Sequence, residues 1–345
     1  MSTTPMDLVF YGCANMPTTD GVVAGGAVTF STLVTFADMA TAGTVDYVSS
    51  SASDTAATLT VTGLDSTGTS QVETKTLTGT TIVAGAQSFA RLMSVVAGGT
   101  TAVGDIAAIS ATAVVSGTAQ TGSANSTGTT PALFHLASGQ GASVTEGQVI
   151  HTTGGTGPNQ LARIIAITGY GTDIVAVDQN WTTVPDATTT YTVNEGALLR
   201  KLPNQITTVR RPFYDISADV PGGSARTYYE KVFAVNNNTA TALTSASIIK
   251  QVDPAGGGTL EFALTTALDD AGTVANRQTA PATGITAFST GAAPQTIAVP
   301  SPGNLPNGTA PNAAGAQGIW FSFVLPAGTA PGATSFTMRA SGQTV

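Results

Sequence analysis

Apolar and polar residues alternate along much of this chain with the period of two that marks a half-buried β-strand. In TLTVTGLDSTGTSQVETKTL, Leu59 and Val61 point one way and Thr58, Thr60 and Thr62 the other. Between the two halves of that stretch, Leu64 to Thr69 contains Asp65, Ser66 and Gly68, which suit a hairpin turn. SFARLMSVV alternates Phe89, Arg91, Met93 and Val95 against Ala90, Leu92, Ser94 and Val96, as a strand with both faces partly covered would. A short amphipathic helix competes for this stretch, and its Val pair favours the strand. Strands at intervals of about 8 to 12 residues suggest a β-sandwich over residues 1–115.

ALFHLAS, QVIHTTG, LARIIAITGY, DIVAVDQNW and TYTV read as five short strands, enough for a small barrel-like module over residues 132–199. From residue 200 the strands are RTYYEKVFAVNNNT, LTSASIIKQVD, GTLEFALTTAL, GITAFST, QTIAVP, GIWFSFVLPAG and TSFTMRASG. IWFSFVL sets Ile319, Phe321, Phe323 and Leu325 on the core face, opposite Trp320, Ser322 and Val324. PSPGNLPNGTAPNAAG is too rich in Pro, Gly and Asn for regular structure and reads as a long surface loop. SGTAQTGSANSTGTTP, residues 116–131, reads as a linker, and a second boundary falls near Gly196 to Pro203. The expected fold is therefore all-β, with three consecutive sandwich or small-barrel modules at 1–115, 132–199 and 200–345.

Composition supports that class. Thr and Val are strand formers, the 39 Gly and 17 Pro punctuate turns, and helix-forming Lys, Glu, Arg and Leu are scarce. Charged residues make up 9% of the chain, against about 25% in an average domain. A surface of Thr, Ser, Ala and Gly suits a protein packed against neighbours, such as an assembly subunit. The net charge of −8 argues against nucleic acid as a partner. That charge is uneven. Residues 1–199 hold three basic and thirteen acidic residues, whereas residues 200–345 hold nine basic and seven acidic. One cysteine, Cys13, allows no intramolecular disulfide. No signal-peptide pattern opens the sequence and no apolar run reaches a membrane span of about 18 residues, so synthesis in a reducing cytoplasm and no membrane partner are expected.

Candidate chemistry is thin. GGTGPNQLARIIAI resembles a nucleotide loop at first sight, but a P-loop needs a Lys, and no Lys lies between Lys75 and Lys201. Gly155 and Gly157 lack the third glycine of a dinucleotide fingerprint. The stretch reads instead as a glycine-rich turn and the strand after it. His135 and His151 could meet across a sheet, with Glu146 the nearest further ligand, but a metal site wants more, and ordinary strand histidines are the simpler reading. Asp269–Asp270 lacks the spaced oxygens of a calcium loop and reads as a solvated turn. No nucleophile elbow marks a Ser–His–Asp triad, and no carboxylate pair sits in an aromatic-rich signature. Cys13 has no basic neighbour to activate it. The expectation is a non-enzyme with no cofactor and no metal.

Half of the basic residues fall in RKLPNQITTVRRPFYDISADVPGGSARTYYEK. There Arg200, Lys201, Arg210, Arg211, Arg226 and Lys231 accompany Phe213, Tyr214, Tyr228 and Tyr229. Arg and Tyr are favoured in interface hot spots, so these ten residues are the candidate protein interface, for an acidic partner or the acidic half of a neighbouring copy. A solvated face over some aromatic core is the plainer alternative.

Several stretches together resemble structural proteins of tailed bacteriophage particles. DLVFYGCANMP resembles the opening of such proteins, and VSSSASDTAATLTVTGLDSTGTSQVETKTLTGTT resembles their immunoglobulin-like repeats. GGTGPNQLARIIAITGYGTDIVAVDQNWTTVPDATTTYTV resembles a small β-module that recurs in them, and RTYYEKVFAVNNNTATALTSASI their outer β-domains. The resemblance implies an immunoglobulin-like first module, no catalytic motif, and a place in the virion. Members of this group serve as capsid decoration (cement) proteins or in tails, collars and fibres. The leading expectation is a decoration protein on the outer capsid surface that bridges major capsid protein subunits, as a homotrimer. A tail, collar or neck protein and a host-binding, adhesin-like module are the alternatives, and a depolymerase comes behind them.

Overall fold

The computed structural model describes residues 8–120, 132–167, 171–201, 205–213, 222–238, 240–254, 258–289, 294–300, 303–308, 315–329 and 336–344. They are all-β: 23 strands, no α-helix, and a single 3-10 turn at Gly141–Ser143. The chain begins with β1 (Leu8–Asn15) and β2 (Ala24–Leu33), then runs through β3 (Gly43–Ser49), β4 (Ala57–Leu64), β5 (Ser70–Thr76), β6 (Val83–Phe89), β7 (Arg91–Gly99), β8 (Ile106–Ser110) and β9 (Val115–Thr118). Next come β10 (Ala132–His135), β11 (Val149–Gly154), β12 (Leu161–Ala166), β13 (Ile174–Val177), β14 (Thr190–Asn194), β15 (Gly196–Leu199) and β16 (Thr208–Arg210). The last stretch holds β17 (Arg226–Asn236), β18 (Leu243–Val252), β19 (Thr259–Leu268), β20 (Thr273–Val274), β21 (Gln295–Ala298), β22 (Ala316–Leu325) and β23 (Thr337–Thr344).

These strands form two compact units that differ from the three consecutive modules expected. One unit joins Asp7–Val34 to Arg211–Val345, and the other is Thr35–Arg210. The reason for the first join is strand pairing: β1 runs antiparallel to β17, with Val9 opposite Val235 and Tyr11 opposite Phe233. The expected boundary near residues 196–203 also moves. β15 pairs with β8 and β16 with β7, so residues 196–210 complete the preceding unit. The first residues of the expected linker belong to β9, which pairs with β14; residues 121–131 lie outside the described set.

In the unit built from both chain ends, the strand order β19-β22-β17-β1-β2 makes one sheet, and β21-β18-β23 a second. Ile319, Phe321, Phe323 and Leu325 of β22 pack with Tyr228 and Val232 of β17, Phe262 of β19 and Ile248 of β18. This is the core face that IWFSFVL predicts. The opposite face of β22 is covered too, because Trp320 packs with Ala24 and Val274. Gly25 makes this possible. It sits at φ 90°, and a Cβ there would lie 2.6 Å from the Trp320 ring. The expected surface loop after residue 300 is pinned within its described part, since Leu305 is buried and bridges to Leu243.

The Thr35–Arg210 unit has three layers. β16-β7-β4-β5 form an outer sheet and β15-β8-β3-β6 a middle one. Leu59, Val61, Leu92, Met93 and Val95 of the outer sheet are buried, as are Val45, Tyr47 and Phe89 of the middle sheet. The Tyr47 hydroxyl donates to Glu73 of β5, tying one sheet to the other. The strict alternation expected of SFARLMSVV fails at one point. Thr62 pairs with Ser94 and Gly63 with Leu92, so Met93 is the extra residue of a β-bulge and the parity flips. Leu92 and Met93 are consequently both buried.

The third layer is a six-stranded sheet, β10-β13-β12-β11-β14-β9. Its two end strands meet where the Gln120 amide, just past β9, donates to the His135 carbonyl of β10 at 3.0 Å, so the sheet closes as a small barrel. Phe134, Ile150, Ile164, Val177, Trp181, Tyr191 and Val193 fill the interior. GGTGPNQLARIIAI is the β11–β12 turn and β12 itself, with positive φ at Gly155, Gly157 and Asn159.

Candidate functional site

The ten residues of the basic, aromatic segment do not form one exposed patch. Arg200, Lys201 and Arg210 belong to the Thr35–Arg210 unit, and Arg211, Phe213, Arg226, Tyr228, Tyr229 and Lys231 to the other. Tyr214 lies outside the described residues. Tyr228 and Lys231 are fully buried, and Arg200 and Arg210 nearly so. These four side chains are core components and are not available at the surface of the chain. Arg226 is exposed, while Lys201, Arg211, Phe213 and Tyr229 are partly so.

Lys231 shows where one of the buried charges goes. Its Nζ lies 2.5 Å from Asp270 Oδ2 and donates to the carbonyls of Asp270 at 2.6 Å and Gly26 at 3.2 Å. The rings of Phe233 and Trp320 flank it at 4.9 and 5.6 Å. Burial pulls the ammonium below its ordinary pKa, and the Asp270 carboxylate partly restores it. The Asp269–Asp270 turn, expected to be merely solvated, therefore carries the counter-ion of a buried lysine.

Arg200 is engaged in a second buried network. Asp178 contacts Arg163 at 3.6 Å and Arg200 at 3.0 Å, and Arg200 also reaches Asp105 at 3.6 Å. Asp105 further accepts from the Lys201 amide at 2.7 Å and from Gln179 at 2.9 Å. Arg163 donates to the Thr35 carbonyl at 3.2 Å. This network lies beside the apolar seam between middle sheet and barrel, where Val48, Ala107, Ile109 and Leu198 meet Val149 and Leu161.

The surface feature that sequence reasoning missed is the outer face of the β16-β7-β4-β5 sheet. The strand register aligns Thr58 with Thr76 and Gly98, Thr60 with Thr74 and Val96, and Thr62 with Val72 and Ser94. Thr208 of β16 continues the second row beyond Val96. Val72 is 59% exposed and Val96 39%. None of these residues is charged, on a unit with eleven acidic and six basic side chains, although Arg210 of β16 continues the third row beyond Ser94 and both are buried there. The hydroxyls of Thr60 and Thr74 bond each other at 2.8 Å, so the two are mutually satisfied on the face. Asp65, the carboxylate in the adjoining turn, is tied down by the Thr67 hydroxyl and the Thr69 amide, which hold it at about 2. The threonine alternation is legible in the sequence as one side of a strand, opposite Leu59 and Val61. Its continuation across three further strands depends on pairing that alternation does not encode.

The edge of this sheet is protected differently from its face. Glu73 of β5 turns inward and accepts from the Ala86 amide at 2.8 Å, with Lys75 paired to it at 3.1 Å. Inward charges on an edge strand discourage addition of another strand. Of the face, the part around Val72 and Val96 is exposed, whereas Ser94 and Arg210 are buried.

His135 ends β10 and His151 lies in β11, His151 almost completely buried. Among the described residues no three His, Cys, Asp or Glu side chains come together as a metal-binding group. Cys13 is buried, with its sulfur 3.3 Å from the Asn15 carbonyl. No helix among the described residues is long and apolar enough to cross a membrane. No family model, curated protein or solved structure matches this chain.

Proposed function

We propose that this chain is a non-enzymatic structural subunit of a tailed-bacteriophage particle, a decoration protein that binds the outer capsid and bridges major capsid protein subunits. One observation carries the reading: a Thr and Val sheet face on an otherwise acidic unit, whose exposed rows on β4 and β5 carry no charge and whose arginines, Arg91 and Arg210, stand at its margins. Association there buries methyl groups without desolvating ions, so it costs little electrostatic energy and tolerates repeated packing. The resemblance of four stretches to phage structural proteins, and the 9% charged composition, point the same way.

The mechanism is mechanical. Each copy contributes area across a boundary between shell subunits, and no bond is made or broken. The basic segment's role is revised in this reading. Arg200 and Lys231 are ion-paired each inside its own unit, Arg210 and Tyr228 are buried, and the sheet face takes over as the contact.

The test is a Val72→Glu/Val96→Glu variant presented to particles that lack the protein. Both side chains are exposed, so folding is retained, and occupancy on the particle falls at least tenfold. Full occupancy by the folded variant overturns the assignment of the face. A folded wild-type chain that binds no particle overturns the virion reading itself.

A further inference from the structure

His151 sits in the middle of the seam between barrel and middle sheet. It follows Val149 by two residues on β11 and so shares its face, while Ile150 between them points into the barrel. Opposite His151 stand Leu161 on β12 and Thr192 on β14. The side chain is 3% exposed, and its Nε2 has no hydrogen-bond partner among the described residues. Diagonally across the sheet, Asn194 donates to the Ser110 carbonyl of β8 at 2.8 Å, while its own Oδ1 is also without a partner. The seam thus holds a buried imidazole whose Nε2 meets no acceptor and no counter-ion among the described residues.

We infer that the seam between barrel and middle sheet is an acid-labile joint, with His151 as its latch. The charged groups around it allow no other outcome for an added proton. From β12 comes Arg163, and from the segment after β15 comes Arg200; both are cations. The carboxylates of Asp178, after β13, and Asp105, before β8, are already shared between these arginines. Asp46 of β3, on the seam side of the middle sheet, is itself raised by burial and so resists ionisation. β14 offers only Thr192 and Asn194, and β8 only apolar side chains and a backbone carbonyl. A proton on His151 therefore adds a third cation to a buried, partly apolar seam. Opening the seam lets water take it.

The sign follows from linkage. Burial lowers His151 from its ordinary value to about 4. The open form binds the proton below about 6.5 and the closed form only below about 4. Closed-state stability is complete above the upper value and is lost as pH falls through this window.

The experiment uses the full chain. Hydrogen exchange, corrected for intrinsic rates, reads the opening of β11 and β15, and NMR of the imidazole carbons reads the protonation of His151. In wild type the opening constant rises by up to roughly tenfold per pH unit between 6.5 and 4, and the imidazole stays neutral until the pH nears the bottom of that range. In His151→Gln, which cannot titrate, that part of the rise disappears while protection at neutral pH is kept. An equal rise in His151→Gln overturns the inference. So does a wild-type imidazole that titrates near 6.5 in the closed protein, and this second reading stands even if the variant does not fold.

Discussion

In the unit built from both chain ends, one ammonium is enclosed by two aromatic rings, backbone carbonyls and a single carboxylate. In the Thr35–Arg210 unit, two guanidiniums share two carboxylates along a seam between layers. The difference lies in what remains when a carboxylate is lost. Lys231 keeps the carbonyls of Gly26 and Asp270 and the face of Phe233. Arg163 keeps the Thr35 carbonyl and Arg200 keeps Asp105 at 3.6 Å, but both lose the one side chain that they share. Burying a cation is tolerable where neutral dipoles surround it; a network that depends on one shared carboxylate concentrates its risk there.

The largest effect should come from Asp178→Ala. It removes the carboxylate that both buried guanidiniums contact, leaving Arg163 the Thr35 carbonyl and Arg200 the more distant Asp105, and should cost about 4 kcal/mol in denaturant unfolding of that unit. A loss below about 1 kcal/mol would show that the network is dispensable. Asp270→Ala should cost less, about 2–3 kcal/mol, because the carbonyls remain and Asp270 is partly exposed. The double variant Lys231→Met/Asp270→Ala should regain most of that loss, and a double variant as unstable as the single one would contradict the ion-pair account.

Much of this contrast was invisible in the sequence, for a physical reason. Alternation reports which way a side chain points, so the core face of IWFSFVL and the paired directions of Leu59 and Thr60 could be read directly. It does not report partners. Lys231 and Asp270 are 39 positions apart, and the Lys201 amide lies 96 positions from the Asp105 carboxylate that it meets. Charge clustering in sequence is therefore not clustering in space, and four residues of the clustered segment are internal. The same limit hid the pairing of β1 with β17 across more than 200 positions. The Met93 bulge escaped because one extra residue changes parity without changing composition.

Smaller effects sharpen the picture. Tyr191→Phe removes a hydroxyl that donates to Gln140 at 2.6 Å and accepts from the Ala137 amide at 2.7 Å, while its ring stays packed on Phe134 at 4.8 Å. It should cost about 1 kcal/mol in barrel stability, and a neutral result would mean that water replaces both bonds. Smallest of all, the Val72→Glu/Val96→Glu variant should change unfolding free energy by no more than about 0.5 kcal/mol, since both positions are exposed. A larger loss would mark the sheet face as part of the fold and not as a contact.

The most direct test of the account is a cryo-electron microscopy map of the particle that carries this chain. The account places copies on the outer capsid surface, at a copy number matching the shell lattice, with Thr58, Thr60, Thr62, Val72 and Val96 against a neighbouring subunit. A map that puts the chain at the neck or tail, or leaves that face in solvent, contradicts it.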